Sequence, residues 1–252
     1  MHPWARRPHE PMLLVVVGGA PDGPVALPDR LPDGSIVVAA DSGVEHVLAA
    51  GLPVHHVVGD LDSASAASVE LARASGATVH QHHADKDATD AELALDLAAH
   101  EVAPRTGIRE LALVGPGGGR LDHLVADVLL LGSPALEGFA VTGHLGEASI
   151  DIVRAGRGRE VHGEVGAQVS LVPLHGPVLG VTTRGLRWAL EHADLRAGTT
   201  RGLSNELVES PAHVALRAGV LAVVRPGGAA AAVARRPTPY DPSPRLPEGG
   251  TP

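Results

Sequence analysis

The chain has 252 residues, with 20 Lys and Arg against 29 Asp and Glu, for a formal charge of -9. That balance argues against a general nucleic-acid binder, which carries a basic footprint. Cysteine is absent, which excludes disulfides, thiolate zinc sites, a Cys nucleophile and iron–sulfur clusters, and leaves oxygen and imidazole as metal donors.

Residues 1–11 and 226–252 are rich in Pro, Gly and Arg and lack apolar periodicity, and both ends are expected to be disordered. The first apolar run, Met12 to Val17, is far shorter than the ~20 residues that span a bilayer, and its flanks do not resemble a signal peptide. A cytoplasmic protein that engages no membrane is expected.

From 12 to 146, short β-like runs alternate with helical stretches. The predicted strands are Met12 to Val17, Ser35 to Ala39, Val54 to Val58, Thr78 to His82, Glu110 to Val114 and Phe139 to Thr142. Helical patterns cover Val44 to Ala50, Ser65 to Ser75 and Ala91 to His100, stopped by Gly51, Gly76 and the approach of Pro104. Repeated β-loop-α units with near-continuous apolar strands predict an α/β domain built on a mostly parallel, Rossmann-like sheet covered on both faces. From 147 to 225 the pattern becomes short strands punctuated by glycines, which predicts an all-β sandwich as a second domain.

In an open parallel sheet, ligands bind beyond the carboxyl ends of the strands. The loops there are acidic: Asp41 follows the second strand, Asp60 and Asp62 the third, Asp85, Asp87 and Asp90 the fourth, and Asp122 the fifth. Carboxylates gathered in one cleft repel, and a bound cation resolves that repulsion. Hard oxygen donors select Mg2+, which completes its shell with water and phosphate oxygens. Taken singly, each Asp also suits a turn or a cap, and Thr89 with Glu92 forms a capping-box pattern.

The glycine run Gly115 to Gly119 can offer backbone N–H groups to phosphate. It matches neither the dinucleotide nor the P-loop pattern. Arg120 and Lys86 are the cations placed to neutralise a polyphosphate, or else to pair with neighbouring Asp residues.

These loops carry motifs that resemble the thiamin pyrophosphokinase family: AADSG at 39–43, GDLDS at 59–63, KDATD at 86–90, GGRLDH at 118–123, SLVPL at 170–174, VTTRGLRWAL at 181–190 and RGLSNE at 201–206. The pieces occur in the family's order. The resemblance implies transfer of a diphosphoryl group from ATP to thiamin with release of AMP, Mg2+ as cofactor, and a homodimer with active sites at its interface. It implies that Asp60, Asp62 and Asp90 hold Mg2+ and act in catalysis with Arg120 and Asp122. Asp41, Ser63, Lys86, Thr89 and Arg120 would contact the nucleotide, and Trp188, Ser204 and Asn205 the thiamin. Two positions depart from the family pattern: Ser42 replaces a glycine, and Asp127 replaces an Asn on the helix after Asp122 and His123.

Other readings stand beside this one. His80, His82 and His83 invite a zinc site, but on a strand His83 faces away from the other two. A related diphosphokinase acting on another alcohol such as a pterin, or a silent nucleotide- or thiamin-binding module, would use the same loops.

Overall fold

The computed structural model describes residues 10–19 and 25–227. The expected disordered ends, 1–11 and 226–252, fall outside them except for Glu10, Pro11, Pro226 and Gly227.

Six strands form the parallel part of the sheet: β1 (Met12–Val17), β2 (Ile36–Ala40), β3 (His56–Gly59), β4 (Thr78–Gln81), β5 (Glu110–Gly115) and β6 (Ala140–Leu145), in the order β4-β3-β2-β1-β5-β6. Strand β1 sits near the middle and all six of its residues are buried. Leu13, Val15 and Val17 face one apolar core and Met12, Leu14 and Val16 the other. A strand buried on both faces has no polar side to show, which is why Met12–Val17 reads as a continuous apolar run.

Helices α1 (Gly43–Ala49) and α2 (Ala66–Ala74) cover one face through Val44, Val47 and Ala72. On the other face lie α3 (Asp90–Asp96), a π-helical turn over Leu97–Val102, and α4 (Ala103–Thr106). The predicted helix ending before Pro104 therefore continues to Gly107, whose φ of 75° closes it. Pro104 is tolerated because it enters in the first turn after the widened π segment, where a missing N–H costs little. Helix α5 (Leu121–Leu131) follows the glycine loop.

At Gly146 the fold differs from the expected Rossmann-like α/β domain followed by a separate β-sandwich. A tight turn there joins β6 to β7 (Ala148–Arg154) as an antiparallel pair, and β13 (Ala218–Arg225) and the first half of β9 (Gln168–Arg184) extend the same sheet. The sheet is thus mixed and continuous across the expected boundary. Residues 170–174 and 181–184, which read as parts of two strands, share the bent β9, while 185–190 lie beyond its end; the second half of β9 leaves to pair with β10 (Ala193–Leu195) and β12 (Ala212–Ala215). Strand β12 also pairs β8 (Arg159–Val161), and β11 (Asn205–Glu206) pairs the start of β9. Alternation lets the shared strands serve two cores: Ile152 and Ala222 face the α/β core, whereas Val153, Leu221 and Val223 face a second, all-β core with Leu171 and Val181. Among the described residues, no helix is long and apolar enough to cross a membrane.

Candidate active site

The loops after β2, β3 and β4 bring their acids together. Asp41, Asp60 and Asp62 each offer a carboxylate oxygen within 4.8 Å of the others, and they form the one such group of possible metal donors among the described residues. Backbone geometry sets this up. Asp41 adopts φ 46° and donates its N–H to Val58 O at 2.8 Å, so the chain turns sharply at the end of β2. Leu61 sits at φ 65° between the other two acids, and Asp62 N–H donates to Asp60 Oδ1 at 3.2 Å. A left-handed Leu costs on the order of 1–3 kcal/mol, a strain of the kind that gathers where ligands bind.

Gly59, φ 148°, is where the acids close in. A Cβ there would lie 2.9 Å from Asp90 Oδ1 and 3.3 Å from Asp41 Cβ. Only a residue without a side chain lets both carboxylates flank the strand end.

Lys86 is the one cation in the cluster, with Nζ 2.6 Å from Asp60 Oδ2 and 3.1 Å from Asp90 Oδ1. Burial pulls its pKa down, but the bonds to Asp60 and Asp90 outweigh that and leave it raised. The same bond from Lys86, helped by the Asp62 N–H, lowers the Asp60 pKa. Asp62 has no such partner, and the neighbouring Asp60 charge pushes it up. Asp41 Oδ2 accepts from Ser63 Oγ, while its Oδ1 is buried without a hydrogen-bond partner. Three carboxylates against one ammonium, one proton affinity raised by like charge and one orphaned buried oxygen suit a hard divalent cation. The geometry groups Asp41 with Asp60 and Asp62, whereas Asp90, named with them by the resemblance, holds Lys86.

Ser42 joins this network through Ser63, their hydroxyl oxygens lying 3.1 Å apart. Its own Oγ occupies the space that a side chain at position 18 would need, so Gly18 accommodates the departure at Ser42. Thr89 Oγ1 accepts from Glu92 N–H at 3.2 Å as the α3 cap, fulfilling one half of the capping box.

Arg120 and Asp122 stand apart from the cluster. Arg120 donates to both carboxylate oxygens of Asp122, at 3.2 and 2.6 Å, and that pairing holds the Asp122 pKa down at about 2. Both are exposed at the N-terminal turn of α5, where Arg120 provides no side-chain cap and the Asp122 carboxylate accepts from the His123 N–H. In the glycine run, Gly117 is explained by packing: a Cβ would meet Gly146 Cα at 2.8 Å. A Cβ on Gly118 would meet nothing within 4 Å, so its backbone faces open space.

The residues from the β half form a second group. Trp188, Leu190, Arg201, Leu203 and Asn205 line an open pocket of about 300 Å³. Trp188 is 58% exposed and Asn205 only 3%. The Asn205 amide grips the Trp188 backbone from both ends, accepting from its N–H at 3.1 Å and donating to its C=O at 2.9 Å. Asn205 therefore positions the indole rather than presenting its own amide. Ser204, at φ 54°, lies beside this grip and donates its N–H to Ser170 Oγ at 3.1 Å. Arg187 was not foreseen: it lies 5.4 Å over the Trp188 ring and pairs with Glu206 at 3.0 Å. Its place in the GLRW run was the available signal.

His80 does not meet His82 and His83 at a metal-like site; its Nε2 lies 3.1 Å from His56 Nδ1.

Two family models match successive parts of the chain. A family model described as the thiamin pyrophosphokinase catalytic domain matches residues 29–141, and one described as its vitamin B1 binding domain matches residues 159–221. A Bacillus subtilis protein named thiamine pyrophosphokinase is 25% identical over 211 residues, covering 84% of this chain and 96% of the relative. A solved thiamin pyrophosphokinase family protein from Enterococcus faecalis superposes with TM-score 0.70 at 30% identity, over 86% of this chain and 98% of that one. The thiamin pyrophosphokinase of Geobacillus thermodenitrificans gives TM-score 0.69 at 27% identity, over 87% and 99%.

Proposed function

The chain belongs to the thiamin pyrophosphokinase family, and we propose that it performs that family's reaction, transferring a diphosphoryl group from ATP to the thiamin hydroxyl and releasing AMP. We assign residues 12–146 to Mg2+ and ATP and residues 147–225 to thiamin, within a cytoplasmic homodimer. The observation that carries this reading is the Asp41, Asp60 and Asp62 cluster, with its unpartnered buried oxygen and its single Lys86.

Asp41, Asp60 and Asp62 would hold the divalent ion, which when bound neutralises charge on the polyphosphate. Lys86 reaches from the same cluster toward the phosphates while Asp60 and Asp90 hold it in place. The open backbone at Gly118 and the Arg120 guanidinium supply further donors for phosphate oxygens. The thiamin hydroxyl oxygen attacks the β-phosphorus as the bond to the α-phosphate oxygen breaks, AMP leaves with that electron pair, and the hydroxyl proton passes to solvent. Asp122, ionised above pH ~2 beside Arg120, is poorly suited to take the hydroxyl proton and orients Arg120 instead. Positioning and charge neutralisation then supply most of the rate.

Sheet order supports a dimeric site. Strand β3, which Asp60 follows, lies seven steps from β9, next to Asn205 and Trp188. At ~4.8 Å per step that is roughly 30 Å along the sheet, far longer than one substrate. Exposed apolar residues lie on both halves: Leu121, Val125 and Leu129, at 71, 49 and 42%, form a stripe on α5, and Leu203 is 46% exposed beside Trp188. Facing copies would cover both surfaces and bring the acids of one to the indole of the other.

The test is to incubate the protein with ATP, Mg2+ and thiamin and to resolve the nucleotides. AMP that appears only when thiamin is present supports the assignment, and ADP contradicts it. Replacing thiamin with a pterin alcohol addresses the rival acceptor, and the absence of any turnover would favour a binding module.

A further inference from the structure

A second concavity lies on the opposite edge of the sheet from the acidic loops. Ala140 begins β6 and pairs with Glu110 at the start of β5, while Arg154 ends β7 opposite Val220. Asp41 and Asp60 follow the other ends of these parallel strands, so the length of a strand separates the two places. The cavity measures about 560 Å³ and has an apolar floor that includes Phe139, Ile152 and Val220.

Arg154, Arg157, Arg159 and Arg217 line it with the carboxylate of Glu137, and the Glu110 carboxylate at its margin interacts with the charges of Arg159 and Arg157, so four cations face two carboxylates in a chain that carries -9 overall. Asp151 pairs with Arg159 at 3.0 Å but also with Arg225 at 2.7 Å, so it compensates only one of two charges. Arg157 and Arg217 make no side-chain hydrogen bond or ion pair with the described residues. Arg154 Nη2 donates to Ser133 O at 2.9 Å, which anchors the side chain, while its Nε is buried without a hydrogen-bond partner. Burial lowers the Arg154 pKa, against a smaller opposing pull from Glu137. The turn at Gly180, φ 65°, leaves room for Arg217: a Cβ there would meet Arg217 Cβ at 2.9 Å.

Guanidiniums gathered in a concave site repel one another and strengthen the field for an anion. Their planar forks match phosphate oxygens, and the apolar floor suits a hydrophobic body attached to that phosphate. We propose that this arginine-lined cavity is a second ligand site, separate from the acidic loops, that takes a small phosphate monoester with an apolar or aromatic body.

Phenyl phosphate and inorganic phosphate serve as probes, titrated calorimetrically into the full chain without Mg2+, which leaves the acidic loops repulsive to anions. Phenyl phosphate is expected to bind at one site per chain, about tenfold tighter than inorganic phosphate, and to shift the Arg154 Nε–H resonance. Arg157→Gln with Arg217→Gln is expected to weaken it at least tenfold while leaving the melting temperature and turnover unchanged, because both side chains are exposed. A Lys86→Met, Arg120→Gln variant is expected to bind it as wild type does. Absence of binding, equal affinity for inorganic phosphate, undiminished binding in the Arg157, Arg217 variant, or loss confined to the Lys86, Arg120 variant would each overturn the proposal. Because no turnover is measured in the titration, failure of the proposed activity leaves this test intact.

Discussion

Lys86 Nζ sits 2.6 Å from Asp60 Oδ2, in a pair whose side chains are 16 and 13% exposed. One ammonium thus restrains a carboxylate needed for a divalent ion and supplies positive charge for the phosphates. Lys86→Met separates these duties. Magnesium binding without nucleotide should be retained or tightened, because a competing cation is gone, while kcat should fall by about 10²–10³, the range for losing one preorganised charge-stabilising donor. Calorimetry with Mg2+ and steady-state assays of the same variant make the comparison.

Asp62 is the solvent-facing member of the acid trio, and the Asp60 charge raises its pKa. Asp62→Asn should therefore abolish turnover without unfolding the protein, and relief of like-charge repulsion should leave the melting temperature equal or slightly higher. Near-wild-type turnover would remove Asp62 from the metal assignment.

Trp188 and Asn205 should part in their consequences. Trp188→Ala removes an exposed ring and should raise KM for thiamin by about 10–100-fold, in line with one lost aromatic or cation–π contact of ~1–3 kcal/mol, with little change in stability. Asn205→Ala removes a buried amide that bonds Trp188 N–H, Trp188 C=O and Glu206 N–H. It should cost about 1–3 kcal/mol of stability as well, measured by denaturant unfolding.

Asp127 on α5 has its pKa pushed up to about 6 by burial, partly offset by His123 one turn earlier. The folded protein therefore holds a proton that the unfolded chain releases near pH ~4. Between pH ~4 and 6 the folded state binds more protons, so this group's contribution falls as pH rises and stays low above 6. Asp127→Asn should flatten that slope and raise stability at pH 7.5 by about 1–2 kcal/mol, allowing for partial solvent access, or roughly 2–8 °C in melting temperature. An amide also fits a helix position that burial makes costly for a charge.

Mixing inactive Asp62→Asn with weakened Trp188→Ala tests the shared site. After subunit exchange at equal concentrations, half the dimers are mixed and one of their two sites draws intact residues from both copies, so about a quarter of wild-type turnover should return. Exchange confirmed by mass spectrometry with no recovered turnover would place each site within one copy.

The acidic strand ends were legible in the sequence because apolar runs such as Met12–Val17 and Glu110–Val114 stop at Asp- or Gly-rich loops, and parallel sheets present such loops on one edge. Which acids converge was not legible: Asp41 enters the trio through its left-handed backbone and the closeness allowed by Gly59, neither of which spacing reveals. The Gly146 turn looked like a domain boundary because the pattern changes there, yet hairpin pairing carries the sheet through it. Alternation along β13 serves two cores at once, so a local pattern could not tell a new sandwich from an extended sheet. The four arginines of the second cavity come from segments more than 50 residues apart at their extremes, Arg154 and Arg217, and no local motif records that meeting.

Transfer from ATP labelled at the β-phosphorus tests the assigned chemistry most directly. With thiamin and Mg2+, one attack at that atom puts the label in thiamin diphosphate and leaves the AMP unlabelled, with the two products in equal amounts and neither formed by Asp62→Asn. Label retained in ADP, with thiamin monophosphate as the other product, would mean attack at the γ-phosphorus and would contradict diphosphoryl transfer at this site.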